Sequence, residues 1–148
     1  MLSGKNVPLK TRDDVLVDSS FVYALLDKDD KYHAAATKFA LTLKQRQIVV
    51  DVALTEVAQL LQEISEQAVL QFFDLMAGSN YQLEPITKID LNRARQIKVT
   101  YSTARLDFVD CCIMAVSERL NIKQVCTFDR RDFTILRPTH CDYLELLP

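Results

Sequence analysis

The chain has 148 residues, 49% hydrophobic and 26% charged, with a formal net charge of −2. That composition belongs to a folded globular chain of about one domain and excludes disordered and collagen-like classes. Its longest apolar runs, Phe21–Leu26 and Phe108–Val116 with Asp110 inside it, fall short of the ~18–20 residues of a membrane span. The N-terminal MLSGKNVPLKTRDD is polar, so a cytoplasmic protein with no membrane contact is expected.

Residues 1–12 are expected to form a loose tail to a single domain spanning 1–148. Val15–Val17 then reads as a short buried strand ending at Asp18, with Ser19 as N-cap of a helix over Phe21–Leu26. Lys31 to about Lys44 is Ala-rich and helical, and Ile48–Val50 is a buried strand. Leu54, Val57, Ala58, Leu61 and Ile64 recur at helical spacing, and Ser65 to Met76 forms another helix stopped by Gly78 and Asn80. Tyr81–Leu83 is a strand closed by Pro85, and Thr87 opens a long helix to about Ser102. Phe108–Leu120 is a helix and Val125–Phe128 a strand ending at Asp129. Ile135–Leu136 and Tyr143–Leu147 are expected to close the sheet. Short apolar strands alternating with helices imply an α/β fold with a parallel sheet covered on both faces.

Only two glycines, Gly4 and Gly78, are present, which excludes a Walker A loop and a glycine-rich dinucleotide fingerprint. The histidines, His33 and His140, make no zinc spacing. Cys111, Cys112, Cys126 and Cys141 form no C-x-x-C pair and read as small hydrophobes in a reducing compartment.

The charge is unevenly distributed. Residues 1–85 hold 8 Lys/Arg against 12 Asp/Glu, whereas residues 86–137 hold 10 Lys/Arg against 6 Asp/Glu. The basic excess is either a solvated helix surface or a phosphate-contacting rim, with Arg105, Arg130 and Arg131 the candidates for nucleic-acid contact.

The acidic residues carry the chemistry. In open parallel sheets, ligands bind beyond the carboxyl ends of the strands. Asp18 and Asp129 fall there, unless each simply caps the helix that follows. Asp110 is the one carboxylate in the apolar stretch FVDCCIMAV, where an isolated charge costs several kcal/mol. It must be paired with Arg105 or Arg119, protonated, or bound to a cation. Asp107, one turn earlier, adds to that demand. Asp51 is expected to cap a helix, Asp27, Asp29 and Asp30 to lie in a solvated loop, and Asp132 to steady the turn after Asp129. Glu56 alone would pass for a surface residue. Together, Asp18, Glu56, Asp110 and Asp129 form an all-oxygen set that favours Mg²⁺ or Mn²⁺ over zinc. Such a site activates water and clamps a phosphoryl oxygen.

These motifs resemble a known family. VLVDSS, ALTEV with Glu56 38 residues after Asp18, LDFVDCCIMAV with Asp110 54 further on, and VCTFDRRDF with Asp129 19 beyond that are similar to PIN-domain ribonucleases. The pattern is closest to the toxin subunits of bacterial toxin–antitoxin modules, over roughly residues 14–136, and Tyr32 and His33 also fit it.

The resemblance implies a three-layer α/β/α sandwich with a mostly parallel sheet, and Mg²⁺- or Mn²⁺-dependent cleavage of single-stranded or structured RNA. It assigns Asp18, Glu56, Asp110 and Asp129 as catalytic and metal-binding residues, and Ser19 or Ser20 and Thr127 as auxiliary ones, whereas Asp107 has no firm counterpart in the family pattern and is expected to be an auxiliary carboxylate. It also implies a homodimer and an antitoxin able to place a basic residue in the acidic pocket. An RNA-processing nuclease without an antitoxin and a non-catalytic PIN-like interaction module are the alternatives. A phosphotransfer domain fits worse. The phosphatase pattern wants an Asp at position 20, which is Ser, and Asp13 and Asp14 precede the first strand instead of following it.

Overall fold

The computed structural model describes residues 14–148, so the expected tail at 1–12 lies outside the described residues. Strands β1 (Val15–Val17), β2 (Gln47–Val50), β3 (Tyr81–Glu84), β4 (Gln124–Cys126) and β5 (Glu145–Leu147) form one sheet. Its order is β3-β2-β1-β4-β5 and every pairing is parallel. Seven helices connect the strands among the described residues: α1 (Ser19–Leu26), α2 (His33–Ala40), α3 (Val52–Gln62), α4 (Glu66–Ala77), α5 (Lys88–Thr100), α6 (Phe108–Leu120) and α7 (Arg131–Ile135).

The sheet grows outward from β1 in one direction through β2 and β3, then the chain returns to add β4 and β5 on the other side. Right-handed crossovers therefore put α1–α4 on one face and α5–α7 on the other. The result is the expected three-layer sandwich. The order reverses between β1 and β4, where Leu16 pairs with Val125 and Val17 with Cys126. A crevice opens at the carboxyl ends of two strands flanking such a reversal, and Asp18 and Asp129 follow those two strands.

The core explains the short strands. Val15, Leu16 and Val17 are all buried, as are Ile48, Val49 and Val50, because both faces are covered by helices. Helix α6 is buried from Val109 through Ser117, as a helix apolar on every side requires. Cys111, Cys112 and Cys126 pack in this core as free thiols, and burial pushes each thiol pKa up, to about 11, 11 and 12 respectively. Asn121 closes α6 in the left-handed region at φ 56°, a position asparagine tolerates.

Several expected boundaries shift. Ser19 is the first residue of α1 rather than its cap, and Asp18 holds the cap position without giving a side-chain cap bond. The second helix spans only His33–Ala40, because the chain turns from Leu41 toward β2. Strand β4 stops at Cys126, and Ile135 ends α7 instead of joining the sheet. Asp51 also gives no side-chain cap bond; its Oδ1 accepts the Ile86 N–H across the β2–β3 edge. Asp27 is buried, not solvated, and accepts the Asp29 N–H. By contrast Thr87 and Asp90 form a full capping box at α5, and Ser65 caps α4.

Candidate active site

The chain ends β1 at Val17 and turns at once into α1, which aims the Asp18 side chain over the sheet edge. Asp18 is only 2% exposed. Its Oδ2 accepts the Thr127 hydroxyl at 2.7 Å and the Ser20 hydroxyl at 3.0 Å, while Ser19 Oγ lies 3.4 Å from Oδ1. Those same two hydroxyls hold the loop after β4. Thr127 Oγ1 accepts the Asp129 N–H at 3.0 Å, and Ser20 Oγ accepts the Phe128 N–H at 3.0 Å. One polar knot thus fixes Asp18 and the backbone of Asp129 together. Ser20, not Ser19, makes its central bonds.

Helix α6 supplies Asp110 from its first turn. Asp107 caps that helix, its Oδ1 accepting the Val109 N–H at 2.8 Å and the Asp110 N–H at 3.2 Å. Asp132, expected only to steady a turn, is buried in α7, and its Oδ2 accepts the Asp107 N–H at 2.8 Å. It ties α7 to the start of α6, and its proximity adds to the upward shift of Asp110. The sequence signal for this was the second Asp of T-x-D-x-x-D, three residues after Asp129. Glu56 comes from α3, half-buried, across the crevice.

Asp18, Glu56, Asp110 and Asp129 line one cavity of about 220 Å³, with Asp107 and Asp132 at its wall. Four separate parts of the chain bring them there, so the convergence is tertiary. Among the described residues no three acidic, His or Cys side chains are already gathered into a ligand set. The carboxylates share a cavity without converging on one point.

The electrostatics follow from burial without a cationic partner. Asp110 is pushed up to about 10, first by burial, then by the Asp18 charge and the proximity of Asp132. Burial likewise raises Asp18, against the Thr127 and Ser20 hydroxyls that favour its charged form. Burial also raises Glu56, with added repulsion from Asp107, Asp18 and Asp129. The expected partners of Asp110 are not engaged with it. Arg119 pairs with Asp90 and Glu84. Arg105 lines the cavity but forms no ion pair among the described residues. An all-oxygen donor set around a buried carboxyl that lacks a counter-charge fits a hard divalent ion.

Arg105 has a further peculiarity. Its backbone sits at φ 53°, a left-handed conformation that costs a non-glycine residue roughly 1–2 kcal/mol. Arg131 is occupied with Asp132 at 2.6 Å and with the Ala104 carbonyl. Arg130 donates to the Pro148 carbonyl at 2.6 Å. Arg93 pairs with Glu118. Most of the basic excess is therefore spent inside the fold.

The model of the PIN domain family matches residues 15–136. The chain belongs to the PIN-domain family. A curated relative of this PIN domain, Ribonuclease VapC26 of Mycobacterium tuberculosis, is 23% identical over 135 residues, covering 90% of this chain and all of that protein. The solved structure of M. tuberculosis VapC20, a sarcin-ricin loop cleaving toxin, superposes with a TM-score of 0.77 at 21% identity, covering 86% of this chain and 98% of that one. A toxin–antitoxin complex from Klebsiella pneumoniae gives 0.62 at 16% identity, over 80% and 89%. At these identities the structural likenesses show the fold of the PIN domain alone.

Proposed function

We propose that this PIN domain is a divalent-metal-dependent endoribonuclease that cleaves single-stranded RNA and acts as the toxin of a toxin–antitoxin pair. The observation that carries the reading is the cavity into which four chain segments deliver Asp18, Glu56, Asp110 and Asp129, with Asp110 buried and in no ion pair among the described residues. The ribonuclease and toxin relatives support it.

Asp18, Asp110 and Asp129 would hold Mg²⁺ or Mn²⁺, with Glu56 at the rim. When bound, the ion supplies Lewis-acid activation of water and offsets charge on the phosphoryl oxygens. The side chains do the rest. Ser20 and Thr127 hold Asp18 in one orientation, and Asp107 and Asp132 hold the first turn of α6. Glu56, raised by burial, orients the attacking water and takes its proton. Arg105 is free to meet the phosphate that enters the acidic mouth.

Incubation of a mixed RNA pool with Mn²⁺ tests the reading. Cleavage should occur, stop with EDTA, and be lost in Asp18→Asn with the fold retained by circular dichroism. A short adjacent reading frame whose product relieves toxicity on co-expression would identify the antitoxin. No cleavage and no Mn²⁺ binding at millimolar concentration would favour an interaction module whose acidic pocket takes a partner's Arg or Lys.

A further inference from the structure

A second cavity of about 580 Å³ adjoins the acidic one and shares Ser19, Glu56 and Asp129 with it. Its size is in the range of small-molecule sites. One wall is aromatic. Phe21, Phe128 and Tyr32 form a parallel stack, with centroids 5.6 Å apart for Phe21–Phe128 and 4.4 Å for Phe128–Tyr32. Phe128, with a ring against each of its faces, and Tyr32, with Lys31 Nζ 5.0 Å over its ring, line the cavity. The opposite wall is α3. Glu56, Gln59 and Glu63 follow one another at i, i+3 and i+7, so they share a helix face that starts at the acidic site and runs along the second cavity. The Gln59 and Glu63 side chains make no hydrogen bond or ion pair among the described residues.

We propose that this cavity takes the base of a nucleotide adjoining the scissile phosphate and selects guanine, a reading that rests on the nuclease function above. A phosphate would be repelled by the acidic lining, so the ring is the part of the RNA that enters. An unstacked base would pack against these rings and be read along its Watson–Crick edge. An ionised carboxylate only accepts, whereas an amide also donates. Glu63 therefore takes the N1–H and N2–H of guanine, and the Gln59 amide donates to O6. Adenine offers the carboxylate one donor in place of two, and uracil offers only N3–H, flanked by two carbonyl oxygens that a carboxylate repels.

Single-stranded RNAs that differ only at the nucleotide beside the cut, with guanine, inosine, adenine or uracil there, test the proposal. Guanine should be favoured over adenine and uracil by roughly ten- to a hundredfold in kcat/KM. Inosine, lacking the N2 amino group, should lose much of the advantage, and Glu63→Gln should collapse the ratio. A ratio near one, or a guanine preference unchanged in both Glu63→Gln and Gln59→Ala, overturns the proposal. So does wild-type base preference in those variants together with lost inhibition by an arginine-rich peptide, which would assign the cavity to a basic partner. If the wild type cleaves no RNA at all, the nuclease reading fails separately. Titration of metal-free protein with guanosine and adenosine then decides: tighter guanosine binding, lost in Glu63→Gln, sustains the base site, and equal or no binding removes it.

Discussion

Two regions of this molecule bury carboxylates, and they treat them in opposite ways. Along the α5–α6 seam, Asp90 is 1% exposed, yet Arg119 holds it at 2.9 Å and the Thr87 N–H and hydroxyl bond to it. Burial alone would raise its pKa, but these partners outweigh burial and hold it below the ordinary value. Glu118, with Arg93 and the Thr139 N–H, follows the same pattern. In the crevice at the ends of β1 and β4, Asp110 is also buried but makes no ion pair among the described residues, although Arg105 and Arg131 line the same cavity, and it rises to about 10. One arrangement stabilises the fold. The other leaves a buried carboxyl whose charged form no side chain offsets, the kind of perturbed group that marks a candidate functional site.

The sharpest way to break this contrast is Asp110→Asn. RNA cleavage should fall about a thousandfold or more, since the ion's contribution is worth several kcal/mol. The metal-free protein should at the same time be more stable by about 1–2 kcal/mol, read as a higher Tm, because a buried uncompensated acid has gone. A lower Tm would show that Asp110 is structural. Arg119→Ala should do the reverse. It strands Asp90 and should cost about 3 kcal/mol of unfolding free energy in a denaturant titration, with the acidic cavity intact.

The two regions also predict a two-sided pH profile for the metal-free protein. Asp90 and Glu118 have lowered pKa values, so their contribution is present above the ordinary carboxylate range and is lost as the pH falls through their folded values. Asp110 is raised, so the fold favours its protonated form, and that contribution is lost as the pH climbs from the ordinary range toward about 10. Thermal melts across pH should show the alkaline decline in the wild type and a flatter limb in Asp110→Asn.

The smallest expected effect is at Arg105. Arg105→Ala should weaken RNA binding by about tenfold and lower the salt slope by about one, if it meets one phosphate. The same change at Arg130, tied to the Pro148 carbonyl, should leave both unchanged.

Much of this contrast was legible before any coordinates. The alternation of short apolar strands and helices points to a parallel sheet covered on both faces, the family resemblance to the sandwich, and the lone acid in FVDCCIMAV to a buried carboxyl that must be paired, protonated or bound to a cation. What periodicity could not reveal was tertiary. Nothing local separates Arg119, which pairs with Asp90 from 29 residues away, from Arg105, which stays free. The role of Asp132 depends on α7 docking against the start of α6. Ser20 outranks Ser19 because the turn into α1 points its hydroxyl at both Asp18 and the β4 loop, a matter of one residue in register. Ile135 lies in α7 and not in a strand, a distinction that a short apolar pair with no measurable period cannot make.

On the proposed function, the crevice holds Asp110 protonated until a divalent ion takes the proton's place. Calorimetric titration of Mn²⁺ into metal-free protein near pH 7, in buffers of different ionisation enthalpy, measures that directly. Binding should release about one proton or more per ion. Mn²⁺ binding with no proton release, or no Mn²⁺ binding, would contradict it.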